Sequence, residues 1–530
     1  MSRKPRRILA KALLAKALLA KASLAAISPV LLQACSSPPA DTSSELVVAL
    51  ENAPLNLDPR VGTDQASSRV FELMLNGLVA KDPQGNLLPA LASSWEILEG
   101  GRLYRFRLRD DVTFHDGRPF GAEDVVWTFQ SILDGTVVTA KRGAFELLER
   151  VGSPEPGVVD FVMREPFGAM LVNLTSYLGI VPRGVLPDEQ NATPIGTGPF
   201  RVVGRHTEGV TLEAYSEAWE GVPSMERVVL RQVPDPTVRA LELRKGSVQL
   251  VVNGLAPDVV PDFRADPDFR VVEDAGSNYV YLGLNLEDPI LSRGDVRQAM
   301  ARALDRERLV ESLYRGLGVV TETVMPPGHW ARNDDIEPIP YDPAGARERL
   351  DRAGFPDPDG DGPATRFDLT YKTSTDETAL LQAQILQAML ADVGIGIDIR
   401  SYEFATFYND IKQGNFQVFS LTWTGIVDPD FYALILHSGR VPPDGANRGR
   451  YRNDEFDRLV EAGAREFRLE KRRPYYLRAQ EILAEELPYI SLLTKVNVAV
   501  MPRRLEGYRN YLSGELYSLK QVRWSSPPQP

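Results

Sequence analysis

The sequence predicts an α/β protein of two lobes facing each other across a cleft. Two segments carry that expectation. The first reads as strand 227–233, helix 236–245 and strand 248–252, with Asp235 as cap, Pro236 in the first turn and Gly246 as stop. The second reads as strand 395–401, helix 404–413 with Gly414 as stop, and strand 416–424. Each is a β–α–β crossover, which joins parallel strands almost always with right-handed sense. Ligands of open α/β sheets sit beyond the carboxyl ends of the strands. Those ends are Asn253-Gly254-Leu255 and Trp423-Thr424-Gly425, far enough apart in the chain to belong to different lobes.

The other elements follow in order. Residues 86–130 alternate differently: Tyr104, Phe106 and Leu108 interleave with Leu103, Arg105, Arg107 and Arg109. A turn at His115-Asp116-Gly117 and a short helix from Ala122 to Ile132 complete an α+β insert. Tyr279 to Leu286 alternates with period two, with Val280, Leu282, Leu284 and Leu286 on one face and Tyr279, Tyr281, Gly283 and Asn285 on the other. Val296, Ala299, Met300 and Ala303 have helical spacing, so 295–304 is a helix. Asp305 starts a second helix, with Leu309, Val310 and Leu313 inward and Gly316 as stop. Asp342-Pro343 starts a third, closed by Gly354.

Composition bounds the function. The 530 residues are 43% hydrophobic and 25% charged, enough for several packed cores. The net charge of −12 lacks the Lys/Arg excess that neutralises phosphates, which argues against nucleic acid as a partner. One cysteine, Cys35, excludes an intramolecular disulfide, a cysteine zinc cluster and an iron–sulfur centre. The four histidines form no His-Glu-x-x-His pattern, and no Gly-x-Ser-x-Gly elbow, phosphate loop or Gly-x-Gly-x-x-Gly is present. No cofactor is expected, and the chain reads as a non-enzyme. An exported hydrolase with spatially assembled residues is the reading of another class, and a subunit signalling to a sensor partner is a third.

Residues 1–34 carry Arg3, Lys4, Arg6, Arg7, Lys11, Lys16 and Lys21 without an acidic residue, then an uncharged run to Ala34. A basic start, a short apolar run and small residues before a cut describe an export signal. Leu32-Gln33-Ala34-Cys35 resembles the lipobox of bacterial lipoproteins, in which the cysteine becomes the lipidated N-terminus. Residues 35–45, with Pro38-Pro39-Ala40-Asp41-Thr42-Ser43-Ser44, read as a tether. Loss of the leader brings the net charge to about −19, a solubility feature. No stretch after residue 45 is long and apolar enough to span a bilayer.

A family becomes visible in the order of several motifs. They are Leu87-Leu88-Pro89-Ala90-Leu91-Ala92-Ser93-Ser94-Trp95, Phe106-Arg107-Leu108-Arg109, and Phe114-His115-Asp116-Gly117 followed by Ala122-Glu123-Asp124-Val125. Gly196-Thr197-Gly198-Pro199-Phe200, Val296-Arg297-Gln298-Ala299, Asp305-Arg306 and Leu487-Pro488-Tyr489-Ile490 continue the series. From about 46 to about 505 the chain resembles the family 5 extracytoplasmic solute-binding proteins, the oligopeptide-, dipeptide- and nickel-binding components of ABC importers. The resemblance implies the large three-domain, two-lobed periplasmic-binding-protein fold. Its domains would be lobe I (46–69, 195–275 and 491–525), an insert (70–194) and a second lobe (276–490). It also implies a small solute, expected here to be a peptide or peptide-like, enclosed between the lobes. That solute is handed unchanged to a permease with its ATPase by a monomer lipid-anchored outside the cytoplasm. A sugar, opine or metal chelate is the alternative cargo.

In peptide-binding relatives an aspartate shortly after the loop tryptophan pairs with the ligand's amino terminus. Here that position falls on Ile426, within Trp423-Thr424-Gly425-Ile426-Val427-Asp428-Pro429-Asp430. Asp428 is the candidate substitute, with Trp423, Thr424 and Gly425 lining the cleft beside it. Asn447 and Arg448 lie in a loop whose arginines can fork onto a carboxylate. Tyr279, Tyr281 and Asn285 offer aromatic walls and a hydrogen bond, and Thr63 and Asp64 stand where relatives place contacts. Each has a plainer reading as core, turn or surface. Asp357, Asp359, Asp361 and Asp368 with Gly360 partly match a calcium loop, but Asp in place of Glu at the last position and Pro363 favour a solvated turn.

Overall fold

The computed structural model describes residues 44–360 and 362–525. The leader, Cys35 and all but the end of the tether lie outside the described residues, as does Asp361. Residues 44–525 lie within one compact unit. No helix among the described residues is long and apolar enough to cross a membrane.

One large mixed sheet organises the chain. At one end Glu45–Leu50 is flanked by Arg227–Gln232 and Leu250–Val252, both parallel to it. At the other end Phe367–Ser374 is flanked by Ile395–Tyr402 and Val418–Trp423, again both parallel. The two crossovers expected from the sequence are therefore parallel, and each steps over one strand instead of joining neighbours. Their helices, Pro236–Lys245 and Phe404–Gln413, have the expected bounds and end on Gly246 and Gly414 in left-handed conformation.

Two long antiparallel strands, Phe269–Leu284 and Tyr489–Pro502, run through both halves of the sheet. Their ladder is regular from Phe269 to Ala275, breaks, and resumes at Tyr279 opposite Thr494. Gly276 lies in the break, where a Cβ would collide with the Lys495 carbonyl oxygen. The sheet is thus two strand systems joined where chain pairing is interrupted. Each half buries apolar side chains on both faces. In the second half, Val280, Leu282 and Leu284 pack with the helices Gly294–Ala303 and Arg306–Tyr314, while Tyr279 and Tyr281 pack on the opposite face with Phe407, Phe419 and Tyr489. Burial on both faces is why strict alternation of apolar and polar residues is absent there.

The insert has its own four-stranded antiparallel sheet of Ala92–Leu98, Leu103–Leu108, Val158–Met163 and Leu148–Gly152, with the helix Ala122–Leu133 packed on it. Tyr104 and Phe106 point into its core, and Arg105 pairs with Asp160 on the outer face at 2.7 Å. Two of the sequence motifs meet where this insert joins the first half. The His115 amide donates to the Gly196 carbonyl at 2.9 Å, its Nδ1 accepts from the Gly196 amide at 3.2 Å, and its Nε2 lies 3.0 Å from the Gly198 carbonyl.

Burial pushes the His115 imidazole down from an ordinary 6.5 to about 4. In between, the unfolded chain holds the extra proton, so stability rises with pH across that window. It is complete above about 6.5 and is lost as pH falls toward 4. Urea midpoints measured across this range should show that acid limb, and His115→Asn, which keeps an acceptor for the Gly196 amide, should flatten it.

Candidate functional site

The candidate for a first wall is a groove of about 500 Å³ at the carboxyl ends of the three parallel strands of the first half. Leu50 and Glu51, Gln232, and Val252 to Gly254 supply its floor, and the start of the helix Gln65–Met74 supplies one side. Asp64 lines this groove and caps that helix, accepting from the Ser67 amide at 2.8 Å and the Ser67 hydroxyl at 2.6 Å. The Ser67 hydroxyl oxygen in turn accepts from the Leu55 and Asn56 amides, each at 3.1 Å, which holds the rim loop. Thr63 is exposed beside it. Asn253 sits on the floor with a positive φ of 55°, a conformation asparagine tolerates better than most residues. Its side chain holds the Val498 amide at 2.8 Å and donates to Asn497 Oδ1 at 2.9 Å.

The candidate for a second wall is aromatic and lies just past the break in the long ladder. Tyr279 pairs with Trp423 across the strands, so both side chains leave the same face of the sheet. The Tyr281 ring stacks near-parallel with Tyr279 at 5.8 Å and with Trp423 at 5.9 Å, and Tyr489 closes to 4.4 Å. Burial pushes the Tyr281 phenol up to about 12 and raises that of Tyr279 as well, so both remain protonated. The Tyr279 hydroxyl is bonded to Ser491 at 2.6 Å. The Arg448 guanidinium lies 4.1 Å from the Trp423 ring centroid and 5.1 Å from that of Tyr408. Its Nη1 donates to the Tyr281 hydroxyl and its Nη2 to the Tyr408 hydroxyl, both at 3.0 Å. Thr424 and Gly425 are exposed at the end of the Trp423 strand, and the Gly425 amide reaches Asn278 Oδ1 at 3.3 Å.

The remaining candidates are placed apart. Asn447 is fully buried and staples its loop, donating to the carbonyls of Leu436, His437 and Tyr451 and accepting from the Tyr451 amide. It fixes the backbone from which Arg448 projects. Asn285 ties its strand end to the Gly414 and Phe416 carbonyls. Ile426 is buried. Asp428 is gripped by Arg472, at 2.7 and 2.9 Å, rather than held free. Asp357 and Asp359 accept backbone amides within their own turn, and Asp368 accepts from Thr365 Oγ1 at 3.2 Å. Among the described residues no group of three His, Cys, Asp or Glu stands ready for a metal ion. Tyr408 is the site residue that sequence reasoning missed. The signal available was its position one helical turn after Phe404, on the helix that follows the strand Ile395–Tyr402.

Comparison with known proteins agrees with this architecture. The family model described as "Bacterial extracellular solute-binding proteins, family 5 Middle" matches residues 86–442. The chain is 29% identical over 503 residues to heme-binding protein A of Haemophilus influenzae, spanning 88% of this chain and 90% of that protein. It is 28% identical over 507 residues to a dipeptide-binding protein of Pseudomonas aeruginosa, spanning 89% and 94% of the two chains. The structure of HbpA2 from Haemophilus parasuis superposes with a TM-score of 0.81 at 24% identity, covering 91% of this chain and all of that one. The fold is accordingly the two-lobed α/β arrangement of periplasmic binding proteins, and the family is one of binding proteins rather than enzymes. This chain belongs to the bacterial extracellular solute-binding proteins of family 5.

Proposed function

We propose that this protein is the lipid-tethered receptor of an ABC importer. It takes a peptide or peptide-like solute between its lobes and passes it unchanged to a membrane permease. The observation that carries this reading is the pairing of a strand-end groove on one half with an aromatic, hydrogen-bonding wall on the other, on either side of a broken ladder. Hinge closure around a ligand is an established repertoire for such halves. The break at 276–278 supports placing the lobe boundary there, with lobe I taken as 46–69, 195–275 and 491–525, the insert as 70–194 and the second lobe as 276–490. The dipeptide-binding relative supports the cargo class. Cys35 after Leu32-Gln33-Ala34 supports lipid anchoring on the outer side of a membrane.

One observation favours a nonpeptide cargo as the second reading. Ile426 is apolar and Asp428 is engaged by Arg472, so this loop offers a ligand amine no free carboxylate.

The test is mass spectrometry of small molecules released from gently purified protein, followed by small-angle scattering with and without the molecule found. A bound solute recovered unchanged and a smaller radius of gyration in its presence are expected. An unchanging particle, or a converted solute, would overturn the receptor reading. In cells, Cys35→Ala should move the protein from the membrane fraction to the soluble exported fraction.

A further inference from the structure

The second wall contains a buried cation without an anion. Arg448 is only 5% exposed, and among the described residues no carboxylate comes within ion-pair distance of it. Its two hydrogen-bond partners are phenol oxygens, which accept from it and leave their own O–H protons unspent. Neither the Tyr281 nor the Tyr408 hydroxyl donates to any described residue. The indole Nε1–H of Trp423, under the guanidinium, is buried and also lacks a partner. Lys412 adds a further positive charge 5.4 Å from the Tyr408 ring. One guanidinium, two phenols and an indole therefore gather in one place, with no carboxylate among them and no acceptor for the two phenol hydrogens and the indole N–H.

Burying a charge without a partner is costly, and buried donors left unmatched add to the cost. A cation with unspent donor hydrogens around it is matched by a carboxylate, whose two oxygens accept up to four hydrogen bonds and suit the planar fork of arginine. It repels an ammonium group. The acidic side chains that could have received an amine, Asp428 and Asp430, both face Arg472 at 2.7 and 3.0 Å.

We infer that Arg448, with Tyr281, Tyr408 and Trp423, is the anchor for a ligand carboxylate, and that this receptor selects its cargo by that carboxylate and not by a free α-amine. The inference rests on the reading of the chain as a solute receptor and names the chemistry that its site demands. A peptide blocked at its amino end, or a small organic acid without an amine, fits as well as a free peptide.

The test uses purified mature protein and three forms of one casein hydrolysate: untreated, N-acetylated, and carboxyl-amidated. Captured peptides are counted by mass spectrometry. The untreated and acetylated pools should load the protein equally within about threefold, and the amidated pool at least tenfold less. Arg448→Gln should capture at least tenfold less from the untreated pool, and Arg448→Lys should recover part of the loss. The amidated arm needs no variant, so a folding defect in Arg448→Gln leaves the outcome readable. Equal capture of the amidated pool, or loss of capture on acetylation, overturns the inference. If no peptide pool loads, a thermal-shift screen of mono- and dicarboxylic acids against their amides separates the two claims. Acids that raise the melting temperature while their amides do not would sink the peptide reading and uphold the carboxylate anchor. No shift from any acid would sink the anchor.

Discussion

Arg472→Met is expected to cost this protein about 3–5 kcal/mol of stability, the usual effect of breaking a buried ion pair from one side. Arg472 is among the largest fully buried side chains in the described structure. Its guanidinium bonds both oxygens of Asp428 at 2.7 and 2.9 Å, Asp430 at 3.0 Å and the Gly463 carbonyl at 3.0 Å. Tyr476 adds a hydroxyl hydrogen bond to Asp430 at 2.6 Å. Burial, and then the neighbouring Asp428 charge, push the Asp430 carboxyl upward, so removing Arg472 leaves two carboxylates crowded without a counterion. Asp428→Asn should cost less, because Asp430 still balances Arg472 and the repulsion between the two acids is gone. Urea unfolding of the three proteins checks the ranking. Near-equal stabilities would mean that Asp428 is not committed to Arg472 and is available to a ligand amine, the role the sequence suggests for it.

That contrast shows what the sequence could and could not say. Caps and stops are local chemistry, so Asp235, Pro236 and Gly246 bounded one helix and Gly414 ended another where the sequence indicated. Parallel sense was legible for the same reason, from strand–helix–strand length. Adjacency was not, because each crossover spans a strand from outside itself: Glu45–Leu50 comes from far upstream, and Phe367–Ser374 precedes Ile395–Tyr402 by one helix. The family motifs prove to be ties between distant segments. Arg297 donates to the carbonyls of Glu486 and Leu487, joining one motif to another, and His115 does the same with Gly196 and Gly198. Such motifs report the fold well and the cargo poorly. In the site, aromatic and charged residues of the right type could be listed from sequence, but a side chain's partner cannot. Asp428 and Arg472 are 44 positions apart, and Arg448 and Tyr281 are 167 apart. Only the folded structure distinguishes an acid that has a basic partner from an arginine whose partners are all uncharged.

The same logic gives the second large effect, at the floor of the groove. Asn497→Ala should destabilise the protein by about 3 kcal/mol and weaken ligand binding several-fold. Asn497 is buried on the long strand just past the broken ladder. Its amide group donates to the carbonyls of Tyr511 and Leu512 at 2.9 and 2.8 Å, and its oxygen accepts from Asn253 at 2.9 Å. Truncation removes all three bonds and leaves buried polar groups unmatched, each worth about 1–3 kcal/mol before any rehydration. It also frees Asn253, whose left-handed backbone on the groove floor is held by surrounding contacts. Asn253→Gly is the informative companion, since glycine adopts that backbone without strain and loses only the side-chain bonds. It should therefore cost less stability than Asn497→Ala while still loosening the groove. Urea unfolding and calorimetric titration with the recovered cargo measure both effects. An Asn497→Ala protein that unfolds at the parent midpoint and binds at parent affinity would show that the groove floor does not depend on this amide cluster.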